Sequence, residues 1–285
     1  MQFLITDDNK TLTTATDFDP VKSFLCGQCF RWHRQEDGSY TGVVSGKVLS
    51  VCTKDNAIAL KGTSEAEFQD FWSRYFDLHR DYTKIQERLL RTAPWIKPAV
   101  ISGNGIHIFH QDLWEIYISF IISSNNNISR ISNIIENISR LFGNQISTSL
   151  PGKWFCFPEP EALAMLNERD WRKLNVGYRA PYLVDAVKSW TRCQQEINNL
   201  SSCTLQSVSG IGPKVASCIR LFGTEERNVF PIDVWVRRAM MHFYYQTNRR
   251  ISDKAIQEDA LRLFGHDAGF AQQYLFHHAR SYLIK

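Results

Sequence analysis

The stretch LQSVSGIGPKV at 205–215, together with Asp233 in the run VFPIDVWVRRAM, decides the fold of this chain. Gly210 and Gly212 flank one apolar residue between two segments that suit helices, so the chain can reverse tightly there. Bare backbone N–H groups and the helix dipole then offer a phosphate site at the start of the second helix. The pattern is compatible with a helical hairpin whose turn binds a phosphate. An ordinary helix C-cap also uses glycine, so the rest of the chain must decide between the two.

Further motifs give the hairpin a family resemblance. LQSVSGIGPKVASC followed by PIDVWVRRA is similar to the helix-hairpin-helix, Gly/Pro-Asp superfamily of DNA glycosylases. Four other motifs resemble its 8-oxoguanine DNA glycosylase branch, in the same order: CGQCFRW at 26–32, SSNNNISR at 123–130, GYRA at 177–180 and AQQYLF at 271–276. The resemblance extends from about residue 20 to the C-terminus. Several motifs in register are far more specific than any one alone.

The periodicity of the chain predicts an α+β fold that is mainly α. Four short β-branched or aromatic runs separated by turn residues predict an antiparallel meander: FRWHR, SYTGVV, KVLSVCT and AIALKG. Helical patterns follow, including a buried helix capped by Asp112 and a helix that stops at Gly143. We predict an N-terminal antiparallel sheet domain with flanking helices at 1–105. A two-lobed helical catalytic domain, with its hairpin at 205–218, would occupy 106–285.

Composition limits the class of protein without identifying it. The chain has 285 residues, of which 44% are hydrophobic, and a net charge of +4, so binding to a polyanion must depend on local clusters of Lys and Arg. The longest apolar run, IYISFII, is too short to span a bilayer, and no signal pattern precedes it. We expect no membrane association, and a location in the cytosol, at the nucleoid of a prokaryote, or in a eukaryotic nucleus.

The cysteines predict neither a disulfide framework nor a metal site. There are seven, an odd number at irregular spacing, which is typical of reduced thiols. Cys26 and Cys29 form a CxxC pair, but no second pair follows to complete a four-ligand zinc site. Relatives that hold an iron–sulfur cluster use clustered C-terminal cysteines, and none follows Cys218 here. We predict no metal and no cofactor.

Lys214 and Asp233 are the predicted catalytic pair. A neutral lysine amine can attack the anomeric carbon of a deoxyribose, displace the base and leave a Schiff base that permits β-elimination. The resemblance implies that a lysine just past the hairpin marks a bifunctional glycosylase and lyase. It also implies that Asp233 caps a helix and stabilises the cationic sugar. The alternatives are a lysine that only touches phosphate and an aspartate that only caps. Trp235 departs from the family pattern, which has a phosphate-binding histidine there.

The resemblance assigns a pocket for the flipped base to four residues. 8-Oxoguanine differs from guanine by a proton at N7, so recognition needs an acceptor, and a carbonyl beside Gly27 can approach closely. Phe276 and Cys218 are similar to the two stacking faces of the family pocket. Gln272, one turn before Phe276, offers a donor and an acceptor to the Watson–Crick edge. Taken singly, these would be core or surface residues.

Arginine side chains are predicted to select the partner of the lesion. Arginine only donates, and cytosine presents neighbouring acceptors, so arginines inserted opposite the lesion would favour cytosine. Arg130 and Arg179, with Asn125 and the wedge-like Tyr178, match the family positions for this role. For Arg130 alone, a surface salt bridge is an alternative. The expected partner is double-stranded DNA that contains 8-oxoguanine opposite cytosine, bound by a monomer because a lesion lacks two-fold symmetry.

Three functions remain open at this stage. The first is a bifunctional glycosylase and lyase, and the second is a glycosylase of the same fold that acts on another base or lacks the lyase step. The third is a non-catalytic module that binds DNA by its hairpin. Lys214 favours the first over the second, since a monofunctional enzyme activates water and does not need the amine. The predicted base pocket argues against the third.

Overall fold

A six-stranded antiparallel sheet forms the N-terminal part of the computed structural model, which describes residues 3–6, 10–13, 18–54, 57–195, 202–247 and 249–283. The strand order is β1-β2-β6-β5-β4-β3. The strands are β1 (Phe3–Thr6), β2 (Lys10–Thr13), β3 (Trp32–Arg34), β4 (Tyr40–Val44), β5 (Lys47–Lys54) and β6 (Ala57–Lys61). The four predicted runs form β3 to β6, which confirms the meander. Two strands that the sequence analysis had not identified, β1 and β2, extend it.

The sheet packs on its helices through a cluster of aromatic side chains. Trp32 in β3 is the register partner of Gly42 in β4, where a Cβ would overlap the indole ring. The indole stacks on Phe24 at 4.1 Å between centroids and donates from Nε1 to the hydroxyl of Tyr75 at 2.9 Å. The missing side chain at Gly42 therefore makes room for the ring that joins the sheet to its flanking helices.

The rest of the chain is mainly helical, as the sequence predicts. A short α1 (Pro20–Leu25) lies between the second and third strands. After the sheet come α2 (Glu65–Glu67), α3 (Ser73–Tyr75), α4 (Tyr82–Thr92), α5 (Lys97–Ser102), α6 (Leu113–Ser123), α7 (Ile128–Phe142), α8 (Pro160–Ala164), α9 (Glu168–Lys173), α10 (Ala180–Gln195), α11 (Ser202–Gln206), α12 (Pro213–Gly223), α13 (Val234–Met240), α14 (Asp253–Phe264) and α15 (Ala268–Tyr282). A two-stranded hairpin, β7 (Gln145–Ile146) with β8 (Trp154–Phe155), follows α7.

Capping side chains set the helix boundaries near the site. Asp112 accepts a 2.8 Å hydrogen bond from the backbone N–H of Glu115 and begins α6, as predicted. Asn127 caps α7 by accepting from the N–H of Arg130 at 2.9 Å, and α7 ends at Gly143. Almost every residue of α6 after its first turn is buried. This helix is therefore the centre of the helical body.

The described residues contain two apolar cores. One joins the sheet to α1 and to the helical segment at 65–76, and the other fills the helical body. Tyr82, Ile85 and Leu89 of α4 belong to the second core, although they precede the predicted boundary at residue 105. That boundary stays a prediction. Among the described residues, no helix has both the length and the apolarity needed to cross a bilayer.

Candidate active site

The predicted hairpin is formed by α11, a tight turn and α12. The N–H of Ile211 donates to the carbonyl of Val208 at 3.1 Å, and Gly212 is the N-cap of α12. Gly210 has φ +83°, and a Cβ there would lie 2.5 Å from Cγ of Tyr182. No heavy atom lies within 4 Å of the same position at Gly212. Gly210 is thus required by packing, whereas Gly212 leaves an open approach to the backbone at the start of α12.

One helix outside the hairpin holds it in place. Asp185 in α10 accepts a 2.9 Å hydrogen bond from the backbone N–H of Ser209 through Oδ2. Tyr182, one turn earlier on α10, packs its ring against Gly210. Neither contact could be read from the sequence, because both join residues far apart in the chain. The sequence indicates only that Tyr182 and Asp185, three positions apart, would lie on the same face of a helix.

Lys214, Cys218 and Asp233 lie together beside the hairpin. Lys214 is half-buried in the first turn of α12, with Nζ 5.4 Å from the ring centroid of Phe120. Asp233 is the N-cap of α13, where Oδ1 accepts from the N–H groups of Trp235 at 3.0 Å and Val236 at 2.8 Å. The capping role predicted for Asp233 is therefore present in the fold. Phe120, which the sequence analysis did not identify, forms an apolar wall beside the lysine.

The electrostatics of these three residues show that they share one environment. Burial raises the pKa of the Asp233 carboxyl, against the lowering effect of the Val236 N–H and of the Lys214 charge. Burial also raises the pKa of the Cys218 thiol, while Lys214 lowers it and Asp233 raises it further. A cavity of about 500 Å³ adjoins Lys214, between the hairpin, the segment before Asp233 and the start of α14. The lining of this cavity includes Lys214 but none of the four residues predicted to form the base pocket.

Gly27 and Phe276, two of the residues predicted to form the base pocket, lie next to each other. Gly27 has φ +76°, and a Cβ there would lie 3.2 Å from Cζ of Phe276. The buried Gln28 holds this loop, since its amide donates to the carbonyl of His107 at 2.7 Å and its Oε1 accepts from the N–H of Phe109 at 2.9 Å. Gln28 was not identified from the sequence, where an interior glutamine has no distinguishing pattern.

Gln272 is buried on α15, one turn before Phe276. Its Oε1 accepts a 2.8 Å hydrogen bond from the side-chain amide of Gln273. The structure therefore brings Gly27 and Phe276 into contact, and fixes Gln272 through its neighbour. Cys218 is 3% exposed and belongs to the apolar core of the helical body, so its role as a stacking face stays a prediction.

The residues predicted to meet the opposite base form a second cluster. Arg179 is 2% exposed, and its guanidinium donates to the carbonyls of Ser124, Asn125 and Val176. Asn125 has φ +48°, which this clamp stabilises. Tyr178 is 49% exposed and donates its hydroxyl to the Ser124 carbonyl at 3.1 Å. Asn125, Tyr178 and Arg179 thus lie together.

Arg130 joins this cluster from the first turn of α7. It is exposed, and Nη2 donates to the carbonyl of Asn175 at 3.0 Å. The surface salt bridge considered as its alternative is not among the ion pairs of the described residues. Arg130 must exchange its carbonyl partner to reach a base.

Comparison with known proteins identifies the family of this site. Residues 10–117 match the model of the 8-oxoguanine DNA glycosylase N-terminal domain, and residues 118–266 match the model of HhH-GPD superfamily base excision DNA repair proteins. The chain belongs to the HhH-GPD superfamily. It is 32% identical over 232 residues to a probable N-glycosylase/DNA lyase from Methanothermobacter thermautotrophicus, an overlap that covers 72% of this chain and 71% of that protein. The predicted family and enzyme class are confirmed.

Two further relatives agree with this assignment. The structure of Clostridium acetobutylicum 8-oxoguanine glycosylase/lyase, in complex with double-stranded DNA containing cytosine opposite 8-oxoG, is 37% identical with a TM-score of 0.91 over all of both chains. An N-glycosylase/DNA lyase from Arabidopsis thaliana is 25% identical over 92% of this chain and 78% of its own length. The fold class predicted from the sequence is confirmed.

The surroundings of Trp235 and Cys26 in this HhH-GPD glycosylase bear on two questions that the sequence raised. Trp235 lies half-buried in the first turn of α13, below the guanidinium of Arg238. The thiol of Cys26 donates to the carbonyl of Ser23 at 3.1 Å, and burial raises its pKa to about 12. Within the part of the chain that the structure describes, no three His, Cys, Asp or Glu side chains are grouped to ligate a metal ion. Cys26 and Cys29 are both buried, so they act as core side chains here.

Proposed function

We propose that this glycosylase flips out and excises 8-oxoguanine, preferentially opposite cytosine, and then cleaves the strand through a Schiff base on Lys214. The observation that carries the proposal is the common environment of Lys214, Cys218 and Asp233, in which the lysine charge acts on the pKa of both neighbours. The clostridial relative, whose complex contains cytosine opposite 8-oxoG, supports the choice of substrate.

The reaction begins with attack by the neutral amine of Lys214 on C1′ of the extruded nucleotide. The bond from Nζ to C1′ forms, the bond from C1′ to the base breaks, and the base leaves with its electron pair and takes up a proton. The carboxylate of Asp233 stabilises the positive charge that develops on the sugar. Because both Oδ1 hydrogen bonds come from backbone N–H groups, that carboxylate is held in a fixed orientation.

The second half of the reaction is strand cleavage. Loss of a proton from Nζ and opening of the sugar give a Schiff base between Lys214 and C1′. This cation acidifies the proton on C2′, and removal of that proton expels the 3′ phosphate by β-elimination. Water finally hydrolyses the Schiff base and releases the lysine.

Recognition of the lesion is assigned to Gly27, Cys218, Gln272 and Phe276. The positive φ of Gly27 and its contact with Phe276 favour a loop whose carbonyl can accept from N7–H of the lesion. Guanine lacks that proton and leaves the acceptor unsatisfied, which costs binding energy in a desolvated pocket. Phe276 and Cys218 would then enclose the base, and the amide of Gln272 would contact its Watson–Crick edge.

Selection of cytosine is assigned to Arg130 and Arg179, with Tyr178 as the wedge and Asn125 beside it. Arg130 is exposed and bonds one carbonyl, so it can turn toward N3 and O2 of cytosine at small cost. Arg179 bonds three carbonyls and must exchange at least one of them. We therefore expect Arg130 to contribute more to the preference. Gly210 and Gly212 would bind the backbone of the duplex, which the chain contacts as a monomer.

Borohydride trapping tests the lysine mechanism. With a duplex that contains 8-oxoguanine opposite cytosine, the unmutated chain should form a covalent complex that Lys214→Gln does not form. Absence of the complex with the unmutated chain would falsify the mechanism. Single-turnover excision opposite each of the four bases tests the preference. Equal rates would exclude the role of Arg130 and Arg179, and Arg130→Ala should lower the ratio of cytosine to adenine by about tenfold.

A further inference from the structure

We propose that Arg238, held on the ring of Trp235, binds a phosphate of the DNA backbone beside the catalytic pair. This inference rests on the proposed function, because it places the DNA of that reaction on the face of α13 that carries Asp233. It concerns two side chains to which the proposed reaction gives no role.

The geometry of α13 places this arginine near the site. Trp235 and Arg238 are one helical turn apart, and Cζ of Arg238 lies 4.9 Å from the centroid of the indole ring. Side chains of a helix tilt toward its N-terminus, so the guanidinium extends back toward Asp233 rather than away from it. Val236, Ala239 and Met240 are buried, whereas Arg238 is exposed. Arg238 is therefore exposed on the side where the catalytic carboxylate begins the helix.

The charge on Arg238 has no acidic partner in the fold. Among the described residues, no carboxylate forms an ion pair with it, and its guanidinium lies over the indole ring of Trp235. Its neighbour Arg237 provides the contrast, since that guanidinium bonds the carbonyl of Ile251 at 2.7 Å and the carboxylate of Asp253. Arg237 is thus neutralised within the protein, and Arg238 is available to an anion.

The stacking of Arg238 on Trp235 suits the binding of a phosphate. A guanidinium that lies on an aromatic face keeps its N–H groups directed outward along its edge, where they match two oxygens of a phosphate. Trp235 itself offers one neutral donor and no charge. Its contribution is to hold the arginine in one orientation before DNA arrives, which reduces the entropy lost on binding.

The chain has further exposed basic residues near the partner of Arg237. Arg249 and Arg250 are exposed just before α14, close in sequence to the Ile251 carbonyl that Arg237 binds. A local cluster of cations is what a chain of small net charge needs to bind a polyanion. Arg238 lies on α13, the short helix that Asp233 caps.

The salt dependence of DNA binding tests the proposal without requiring catalysis. Dissociation constants are measured from 50 to 300 mM NaCl with a duplex that carries an uncleavable tetrahydrofuran abasic analogue opposite cytosine. Arg238→Gln and Arg238→Ala should each reduce the slope of log Kd against log salt by about 0.9, the value for one lost phosphate contact. Arg238→Lys should keep the slope. Trp235→Ala should weaken binding and keep the slope, because the charge remains.

Arg74→Ala is the matched control. Arg74 is an exposed arginine beside Glu225, past the opposite end of α12 from Lys214, so its removal changes the net charge equally and should leave the slope unchanged. An unchanged slope in Arg238→Gln, or an equal loss in Arg74→Ala, overturns the proposal. Borohydride trapping of the unmutated chain on the 8-oxoguanine duplex is run in parallel. If borohydride traps no complex with the unmutated chain but Arg238→Gln still reduces the slope of log Kd against log salt, the proposed function is rejected and the phosphate contact is retained.

Discussion

The ring of Phe276 lies beside Gly27, with its Cζ atom 3.2 Å from the position that a Cβ on the glycine would occupy. One residue follows the first helix of the chain, and the other lies in the last. The pocket therefore exists only when both ends of the chain have folded onto each other. The space beside the Phe276 ring depends on the absence of a side chain at Gly27.

Gly27→Ala should reduce base excision by roughly 10- to 100-fold, because the ring must shift by a few tenths of an ångström or more and small misplacements in active sites are costly. The left-handed backbone should also lower the free energy of unfolding by about 1 to 2 kcal/mol. Gly38→Ala is the control, since it has φ +85° with no atom within 4 Å. It should lose similar stability in thermal denaturation, yet keep the excision rate. Equal rates in the two variants would contradict this account.

Asp233→Asn should separate capping from catalysis. Asparagine caps helices about as well as aspartate, so α13 should persist. The excision rate should fall by about 100-fold or more, because the charge that faces the sugar is gone. Burial raises the pKa of Asp233, which means that its carboxylate opposes folding at neutral pH, and the variant should unfold at a higher temperature. Asp112→Asn, the same change at the cap of α6, should leave excision unaffected. A rate loss as large in that variant would refute the assignment.

Asp185 should affect DNA binding through the hairpin. Asp185→Ala removes the acceptor of the Ser209 N–H, and the freed turn should weaken binding to duplex DNA by about tenfold, the value of one hydrogen bond. Asp185→Asn loses the same charge but keeps an acceptor, so it should bind more tightly than the alanine variant. Fluorescence anisotropy at constant salt measures both. If the two variants bind equally, the contact does not position the turn.

Glu115 should make stability depend on pH. Burial raises the pKa of this carboxyl from 4.5 to about 7, with contributions from Asp112 and Glu136, against the lowering effect of Arg31. The folded state thus holds the proton more tightly than the unfolded state. Stability from this group is present below pH 4.5 and is lost as the pH rises through 7. Glu115→Gln should flatten the fall in melting temperature between pH 5 and 8. Glu87→Gln, at an exposed position on α4, should leave the profile unchanged.

The sequence was sufficient for features that depend on neighbouring residues. The alternation of β3 to β6, the cap at Asp112 and the stop at Gly143 are local, and all were predicted. Lys214 and Asp233 were predicted by motif, and the fold brings them into one environment. Family resemblance supplied Gly27 and Phe276, whose contact no periodicity could reveal.

Features that depend on distant contacts could not be predicted. Gln28 holds the Gly27 loop through partners about 80 positions away, and Asp185 holds the hairpin from 24 positions away. The three carbonyl contacts of Arg179 could not be predicted either, because every residue has a backbone carbonyl and the sequence does not indicate which of them accepts a hydrogen bond. Gln28 and Asp185 support the site rather than touch the substrate, and their chemistry is common to any folded core.

The position of α10 has a consequence for evolution. Tyr178 comes just before this helix, and Tyr182 and Asp185 on its first two turns hold the hairpin. One helix and the residues just before it therefore carry both the side chain assigned to fill the gap in the base stack and the contacts that hold the DNA-binding hairpin in place. Each residue inserted between them would rotate one relative to the other by about 100°. Among relatives with this arrangement, insertions and deletions should be absent between 178 and 185, whatever their frequency in the loops on either side.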